Sequence, residues 1–518
     1  MSSTRRHLRN LAFNWGGHIS SLLVMFFLSP YIVGKLDSAA YGIWSLLNVL
    51  VGYMGIFDLG VRASVGRHVA LYLGKKDERG VDETIRAGFA FFSIASILIL
   101  LAGVVLGWLF PFFFKEVPPE HFPTIRYLLP FMAINIWLAA VSTIYSSVLT
   151  AHSRFDIARG LDVLVLLVRT AGTIFALEAG WGLWGLAGAL ILGNFFALIA
   201  NHYAAQRIHR KMRSLPLLFS RLRMTELFNY GFFSFIYSIS VKIINQSDLV
   251  IVGILISVSA VREYSIGATL VYYTTPFLSM ISRTFFPDIQ KKVAAGAMDD
   301  VADLFYKHLR ISFCFGLLTY IGLTFYSKAF ITLWMHQSNF DMNAVSAAAT
   351  VMTLLALSKI PSLYLYPCGS IISAVGYVRF NAIRSITEAI VNIVFSLYFV
   401  LSLGWGLAGI AAGTLGARLL VATISVPVFL FKITPFSPRR FITSIILPAA
   451  IAGSLFSVIC KTLTILWPPT TWLTFSAHIL SACLIWAMIS AFMFFPKQLG
   501  ESYLNLLLKR LLAALGRT

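Results

Sequence analysis

The feature that most constrains this chain is a succession of long apolar stretches separated by short polar connections. Fourteen such stretches follow one another along the 518 residues. About 20 apolar residues in a helix cross the hydrocarbon core of a bilayer. The backbone of such a stretch must satisfy its own hydrogen bonds in lipid, so helices are expected. The candidate spans are 11–33, 41–66, 87–111, 124–150, 161–179, 184–206, 228–257, 264–287, 310–333, 346–374, 386–403, 407–431, 441–466 and 473–495. The sequence therefore predicts an all-α polytopic membrane protein with about fourteen transmembrane helices.

The few charged residues indicate how the chain is oriented. Only 12% of the residues are charged, the mean hydropathy is +0.81 and the net charge is +20. Thirty Lys and Arg residues fall on the side that holds both termini and the linker, and six fall on the other side. Cytoplasmic loops are the ones enriched in Lys and Arg. We therefore expect both termini in the cytoplasm, and we attribute the positive charge to topology and not to nucleic-acid binding.

Two parts of the chain resemble each other at a nearly constant offset. Arg154-Phe155-Asp156 matches Arg379-Phe380-Asn381 at 225, and the Gly-Trp-Gly-Leu that starts at Gly180 recurs from Gly404 at 224. Each unit would hold six spans, an even number, so the repeats are expected to be parallel. The predicted parts are an N-terminal six-helix bundle (1–206), a basic cytoplasmic linker (207–226), a second six-helix bundle (227–431), an additional transmembrane hairpin (432–496) and an interfacial amphipathic tail (497–518).

The most polar stretch inside a span runs from Lys242 to Asp248. It includes Asn245 and Gln246, and it lies near the middle of an apolar segment. Ionisable residues at this depth are costly unless they face protein or a water-filled cavity, and they often mark transport pathways. We interpret these residues as part of a polar pathway. The alternative is a Lys242–Gln246 pair, one helical turn apart, that only holds neighbouring helices together.

Three further cations lie near the centres of their spans, and carboxylates are fewer. The four cations Arg169, Lys242, Lys359 and Arg418 predict a cavity that binds an anion, in particular one that bears phosphate, since Arg binds phosphate through paired donors. Each cation could instead form an ion pair that packs helices.

Two carboxylates are candidates for protonation during coupling, Asp248 and Asp58, although Asp58 could simply pair with Arg62 four residues later. The four cysteines are far apart and the histidines lack ligand spacing, so neither a disulfide framework nor a metal site is predicted.

Short motifs along nearly the whole chain resemble a known transporter family. They are Tyr41-Gly42-Ile43-Trp44, Phe57-Asp58-Leu59-Gly60-Val61, Arg67-His68-Val69-Ala70, Asn245-Gln246-Ser247-Asp248, Val252-Gly253, and Tyr264-Ser265 with Gly267. The chain is similar in these positions to the Wzx-type O-antigen and polysaccharide flippases of the multidrug/oligosaccharidyl-lipid/polysaccharide exporter superfamily. The resemblance implies a V-shaped pair of six-helix bundles that works by alternating access in the bacterial inner membrane.

The resemblance also implies the substrate, an undecaprenyl-pyrophosphate-linked glycan such as an O-antigen or exopolysaccharide unit. No cofactor is expected. Transport is expected to be coupled to protons or sodium ions. The expected partners are membrane lipids and other polysaccharide-assembly proteins. A lipid II flippase and a cation-coupled multidrug antiporter of the same superfamily are alternatives. A membrane glycosyltransferase or polymerase is the alternative of another class, but the external loops are short, so we do not expect an enzyme.

Overall fold

Helices make up almost all of the described chain. The computed structural model describes residues 3–209, 232–336 and 340–495, and no strand occurs in these ranges. The prediction of an all-α polytopic membrane protein is confirmed. Twelve helices of the described part are long and apolar enough to cross a membrane, with one shorter apolar helix at Ile19–Lys35, so the count of about fourteen is not confirmed.

The described residues form two compact units, one up to Arg262 and one from Glu263 onward. The helices of the first unit are α1 (Ser3–Lys35), α2 (Ser38–Met54), α3 (Val61–Gly74), α4 (Glu78–Phe113), α5 (Phe122–Ala151), α6 (Phe155–Glu178), α7 (Gly182–Ile208) and α8 (Phe232–Leu255). A further helix, α9 (Val258–Ala294), starts in the first unit and continues in the second. Residues 210–231, with most of the predicted linker, and the predicted tail lie outside the described residues, so the domain boundaries stay predictions.

The second unit contains the remaining helices. They are α10 (Met298–Trp334), α11 (Met342–Lys359), α12 (Ser362–Ala374), α13 (Val378–Leu401), α14 (Gly406–Ala417), α15 (Thr423–Ile433), α16 (Pro438–Phe441), α17 (Leu447–Leu466) and α18 (Trp472–Phe494). Two π-helical turns, Arg418–Ala422 and Ile442–Ile446, interrupt the α-helical hydrogen bonding. Pro361 marks the break between α11 and α12, as expected for a residue that lacks a backbone N–H.

Side chains at the helix starts help to define the elements. Asp37, Asp77 and Asp341 each accept a hydrogen bond, of 2.7, 2.9 and 2.8 Å, from the backbone N–H three residues later. These bonds satisfy N–H groups that have no partner within the helix. Many large apolar side chains, including Trp108 and Leu473, remain exposed on the outer helix faces. This exterior is the one expected for helices that contact lipid.

The two Gly-Trp-Gly turns of the predicted repeat share one backbone conformation. Gly180 and Gly404 have φ values of 75° and 66°, and Gly182 and Gly406 have 48° and 54°. Positive φ values are readily adopted only by glycine, which explains why glycines stand at these positions in both turns. Each turn joins two helices that pack against each other, α6 with α7 and α13 with α14.

These two helix pairs also pack in the same register. A Cβ atom at Gly172 of α6 would lie 3.3 Å from the Cβ of Ala189 on α7. The offset of 224 maps Gly172 onto Ser396 of α13 and Ala189 onto Gly413 of α14. A Cβ atom added at Gly413 would lie 2.6 Å from the Ser396 nitrogen. Small residues let helix backbones approach closely, and in each pair one partner is glycine. The structure therefore supports the repeat that the sequence predicts.

Candidate functional site

A large polar cavity lies within the first unit. Its volume is about 1210 Å³, and it is lined by residues of α1, α3, α5, α6, α7, α8 and the segment between α2 and α3. Arg169, Lys242, Asn245, Gln246 and Asp58 all line it. The structure therefore brings together five of the eight predicted site residues in one cavity of one unit.

Lys242 lies against the backbone of α2. Its Nζ donates a hydrogen bond to the carbonyl oxygen of Gly52, and a Cβ at Gly55 would lie 3.4 Å from the same Nζ. Gln246 lies one turn after Lys242 on α8, and a Cβ atom added at Gly52 would lie 3.0 Å from its Oε1. The two glycines thus give the polar side chains of α8 room beside α2. A carbonyl oxygen does not neutralise the ammonium, and no carboxylate of the described residues forms an ion pair with Lys242.

Arg169, like Lys242, forms no ion pair with a carboxylate of the described residues. It lies in the middle of α6, and its side chain lines the cavity. Within residues 3–209 and the rest of the described chain, its guanidinium forms neither a hydrogen bond nor an ion pair. A guanidinium carries five N–H donors in a planar fork that matches phosphate oxygens. The cavity therefore contains donors that are available to an anionic ligand.

The other charged residues that line the cavity form two ion pairs. Arg62 Nε lies 3.1 Å from Asp58 Oδ2, and the Arg62 backbone N–H donates a 2.9 Å hydrogen bond to Asp58 Oδ1. Arg159 Nη1 lies 2.8 Å from Asp162 Oδ2. Because both carboxylates of the lining are already paired with an arginine, Arg169 and Lys242 give the cavity an excess of positive charge.

The rest of the wall combines neutral polar residues with apolar ones. One face of α5 carries hydroxyl residues at helical spacing, namely Ser142, Thr143, Ser146, Ser147 and Thr150. Helix α7, which packs against α5, contributes Asn194 and Asn201. Asn194 donates a 2.5 Å hydrogen bond to Asn135, and Asn201 donates a 3.1 Å hydrogen bond to Ser142. These hydroxyl and amide residues are not among the predicted site residues, although the spacing of three and four residues on α5 is visible in the sequence.

Asp248 does not line the cavity, unlike Asp58. Its side chain is fully buried, with an exposed fraction of 0%, and lies near Tyr53 of α2. Its assignment as a coupling residue stays a prediction.

Lys359 and Arg418 belong to the second unit, and each has a protein partner there. The Nζ of Lys359 lies 5.1 Å from the centroid of the Tyr272 ring, and the residue is 4% exposed. Arg418 starts the first π-helical turn and donates a 2.9 Å hydrogen bond to Ser362 Oγ. Its Nε also pairs with Glu388.

Glu388 accepts a hydrogen bond from Arg384 and forms an ion pair with Arg418, and its side chain is 2% exposed. This cluster is not among the predicted features, although the spacing of four residues between Arg384 and Glu388 indicates one of its pairs.

The comparisons with known proteins agree with this architecture. The family model described as "Polysaccharide biosynthesis protein" matches residues 36–344, which is more than half of the chain. The chain belongs to this family. The predicted family resemblance is confirmed.

Three curated relatives are similar over most of the chain. EpsK of Bacillus subtilis, an uncharacterized membrane protein, is 22% identical over 473 residues, which are 89% of this chain and 90% of EpsK. A putative O-antigen transporter of Shigella flexneri is 22% identical and covers 78% of this chain and 93% of its own length. Agl15 of Haloferax volcanii, a probable low-salt glycan biosynthesis flippase, is 20% identical, with shares of 74% and 75%.

Two solved structures share the fold. The lipid II flippase MurJ, in an inward closed conformation, superposes with a TM-score of 0.66 at 15% identity, covering 94% of this chain and 99% of MurJ. A multidrug resistance MATE family transporter of the MOP superfamily, in its inward-facing conformation, gives a TM-score of 0.59 at 14% identity, with shares of 79% and 98%. At these identities the similarity concerns the fold alone.

Proposed function

We propose that this protein is a flippase that translocates an anionic lipid-linked oligosaccharide by alternating access. The substrate would be an undecaprenyl-pyrophosphate glycan, such as an O-antigen or exopolysaccharide unit. The observation that carries the proposal is the pair of cations, Arg169 and Lys242, that line a large polar cavity without a carboxylate partner among the described residues. The names of the O-antigen transporter and the glycan flippase among the relatives support the same function.

The lining suggests how the parts of such a substrate are bound. Arg169 offers paired N–H donors and Lys242 a point charge, so the pyrophosphate binds between them. Hydroxyl groups on α5 and amides on α7 exchange hydrogen bonds with sugar hydroxyls, which are uncharged donors and acceptors like themselves. The polyprenyl chain stays in the hydrocarbon region, because transferring it into a polar cavity would forfeit about 0.8 kcal/mol for each CH₂ group.

The alternatives differ in what the cavity would have to bind. A cationic drug would meet an excess of positive charge, which argues against the multidrug antiporter. Lipid II also carries a pyrophosphate, so a lipid II flippase stays an alternative. The two functions are distinguished by which glycan the protein transports. A glycosyltransferase or polymerase is disfavoured because the relatives named by function are a transporter and a flippase.

We place the protein in the bacterial inner membrane with both termini in the cytoplasm, on the basis of the basic loops. Proton or sodium coupling is part of the proposal, with Asp58 and Asp248 as the candidate groups. Asp58 lines the cavity, which gives ions from water a route to it. Polysaccharide-assembly enzymes that make the substrate on one leaflet and polymerise it on the other are the expected partners.

The test is lipid-linked glycan accumulation in cells that express Arg169→Ala or Lys242→Ala in place of the native protein. Both variants should be present in the membrane at normal abundance, while glycan remains on the cytoplasmic leaflet and export falls. Lys328→Ala removes one positive charge from an exposed position of α10 and serves as the matched control. It should export normally.

Two outcomes would contradict the proposal. Normal export by both cavity variants at normal abundance would remove the anion-binding role of the cavity. Accumulation of lipid II in place of the glycan-lipid would assign the protein to the lipid II flippases.

A further inference from the structure

We propose that Gly193 is a positioning residue for Arg169. The inference rests on the proposed function, because the phosphate-binding role of Arg169 is part of that function. Gly193 lies on α7 directly under the Arg169 side chain, which crosses from α6 to the cavity. The missing side chain at position 193 leaves the space through which the arginine reaches its ligand.

The geometry of this contact is tight. A Cβ atom at Gly193 would lie 2.7 Å from Cδ of Arg169 and closer still to its Cγ. Carbon atoms attract each other best at about 3.5–4.0 Å, so an alanine here would force the arginine stem to move. In contrast, the same added atom would lie 3.4 Å from the Cβ of Arg169, which is ordinary contact. The conflict therefore concerns only the part of the arginine beyond Cβ.

The second repeat shows the complementary arrangement. The offset of 224, which maps the Gly172–Ala189 contact onto Ser396–Gly413, maps Gly193 onto Ala417 and Arg169 onto Ile393. The second repeat thus has an alanine, with its methyl side chain, in place of Gly193, and an isoleucine in place of Arg169.

The arginine that lies near this helix pair in the second unit, Arg418, forms an ion pair with Glu388. Gly193 and an arginine that pairs with no carboxylate of the described residues thus occur together in the first repeat, and the corresponding positions of the second repeat hold neither a glycine nor an arginine. This co-occurrence within one chain supports a specific relation between Gly193 and Arg169.

The consequence is a preorganised anion-binding group. The arginine stem packs against bare backbone, so little additional ordering is needed when a phosphate binds. Since no carboxylate of the described residues competes for the guanidinium, its donors remain available to the ligand. Gly193 acts on the ligand through Arg169 and does not contact it.

The test uses the full chain in lipid nanodiscs with farnesyl pyrophosphate as the probe and farnesol as its uncharged control. Gly193→Ala should weaken binding of the pyrophosphate by about tenfold or more, as expected for losing a hydrogen bond to a charged group, and leave farnesol binding unchanged. Arg169→Ala should have the same effect. The double variant should bind no more weakly than Arg169→Ala alone, because the two residues act as one unit.

Gly188→Ala is the matched control, since an added Cβ at this position of the same helix meets no atom within 4 Å. It should bind like the native protein. If Gly193→Ala is too unstable to purify, the thermal stability of the double variant tests the contact instead. Truncating Arg169 removes the clash, so the double variant should be more stable than Gly193→Ala.

Three outcomes would overturn the inference. They are native-like pyrophosphate binding by Gly193→Ala, a further loss in the double variant beyond Arg169→Ala, and a double variant that is as unstable as Gly193→Ala. If Arg169→Ala itself binds the probe normally, the proposed phosphate site fails. The stability comparison still tests the Gly193–Arg169 contact in that case.

Discussion

Glu388 Oε1 lies 2.5 Å from Arg418 Nε, and this pair joins α13 to the π-helical turn that follows α14. Arg384, one turn earlier on α13, bonds the second oxygen of the same carboxylate. The side chains of both arginines are only 14% exposed and that of Glu388 is 2% exposed. A cation that the sequence analysis assigned to substrate binding is thus held by protein groups in the second unit.

Removing this carboxylate should destabilise the protein. Glu388→Gln leaves two buried arginines without a counter-charge, and breaking a buried ion pair costs about 3–5 kcal/mol. We expect a lower free energy of unfolding in detergent and a lower abundance in membranes. Asp303→Asn, which removes an exposed partner of Arg440, is the control and should change little. Equal stability of both variants would contradict a structural role for Glu388.

The hydroxyl groups of α5 should contribute to glycan binding without contributing to stability. Thr143→Val with Ser146→Ala removes two cavity-facing hydroxyls at nearly constant volume. Each lost hydrogen bond is worth about 0.5–1.5 kcal/mol, so losing both should weaken binding of the glycan-lipid about fivefold or more. The measurement is binding by purified protein in nanodiscs.

The control for this prediction is Thr170→Val on α6. Thr143 and Thr170 both donate a 2.8 Å hydrogen bond to the carbonyl four residues earlier, but only Thr143 lines the cavity. Thr170→Val should leave glycan binding unchanged. An equal loss in both threonine variants would indicate an effect on the helices and not on the ligand.

Asp58→Asn should separate ion coupling from substrate binding. The change removes the negative charge that pairs with Arg62, so the cavity becomes more positive and should bind the anionic substrate at least as well. If Asp58 is the coupling group, uptake of the substrate by proteoliposomes should no longer respond to an imposed proton or sodium gradient. A full response to both gradients in Asp58→Asn would exclude Asp58 and leave Asp248 as the candidate.

Gly42→Ala should disturb the packing of the first unit. A Cβ at this position would overlap the carbonyl oxygen of Val258 at the start of α9. Overpacking typically costs about 1–3 kcal/mol, and a backbone atom cannot rotate away as a side chain can. The expected result is a lower melting temperature, measured beside Gly188→Ala as a control. A melting temperature equal to that of the control would show that α2 moves without cost.

Much of the site was predictable because depth in a membrane makes polar residues conspicuous. Lys242, Asn245 and Gln246 were identified from their place in one apolar stretch, and Arg169 from its place in another. The partners of these residues were not predictable, since a span gives the depth of a side chain but not the direction in which it points. Arg169 and Arg418 therefore looked alike in the sequence, and only Arg418 has Glu388 beside it.

The fold class, the repeat and the family follow from the sequence alone. Hydrophobic length and the distribution of Lys and Arg act locally along the chain, so they can be read without knowing which helices touch. The tertiary structure decided which charges stay available to a ligand. Gly193 and Arg169 are 24 positions apart, and the packing of α6 on α7 brings them into contact, as the packing around the π-helical turn brings Glu388 to Arg418. Charge neutralisation depends on distances of a few ångströms between helices, and these distances are set by side-chain packing.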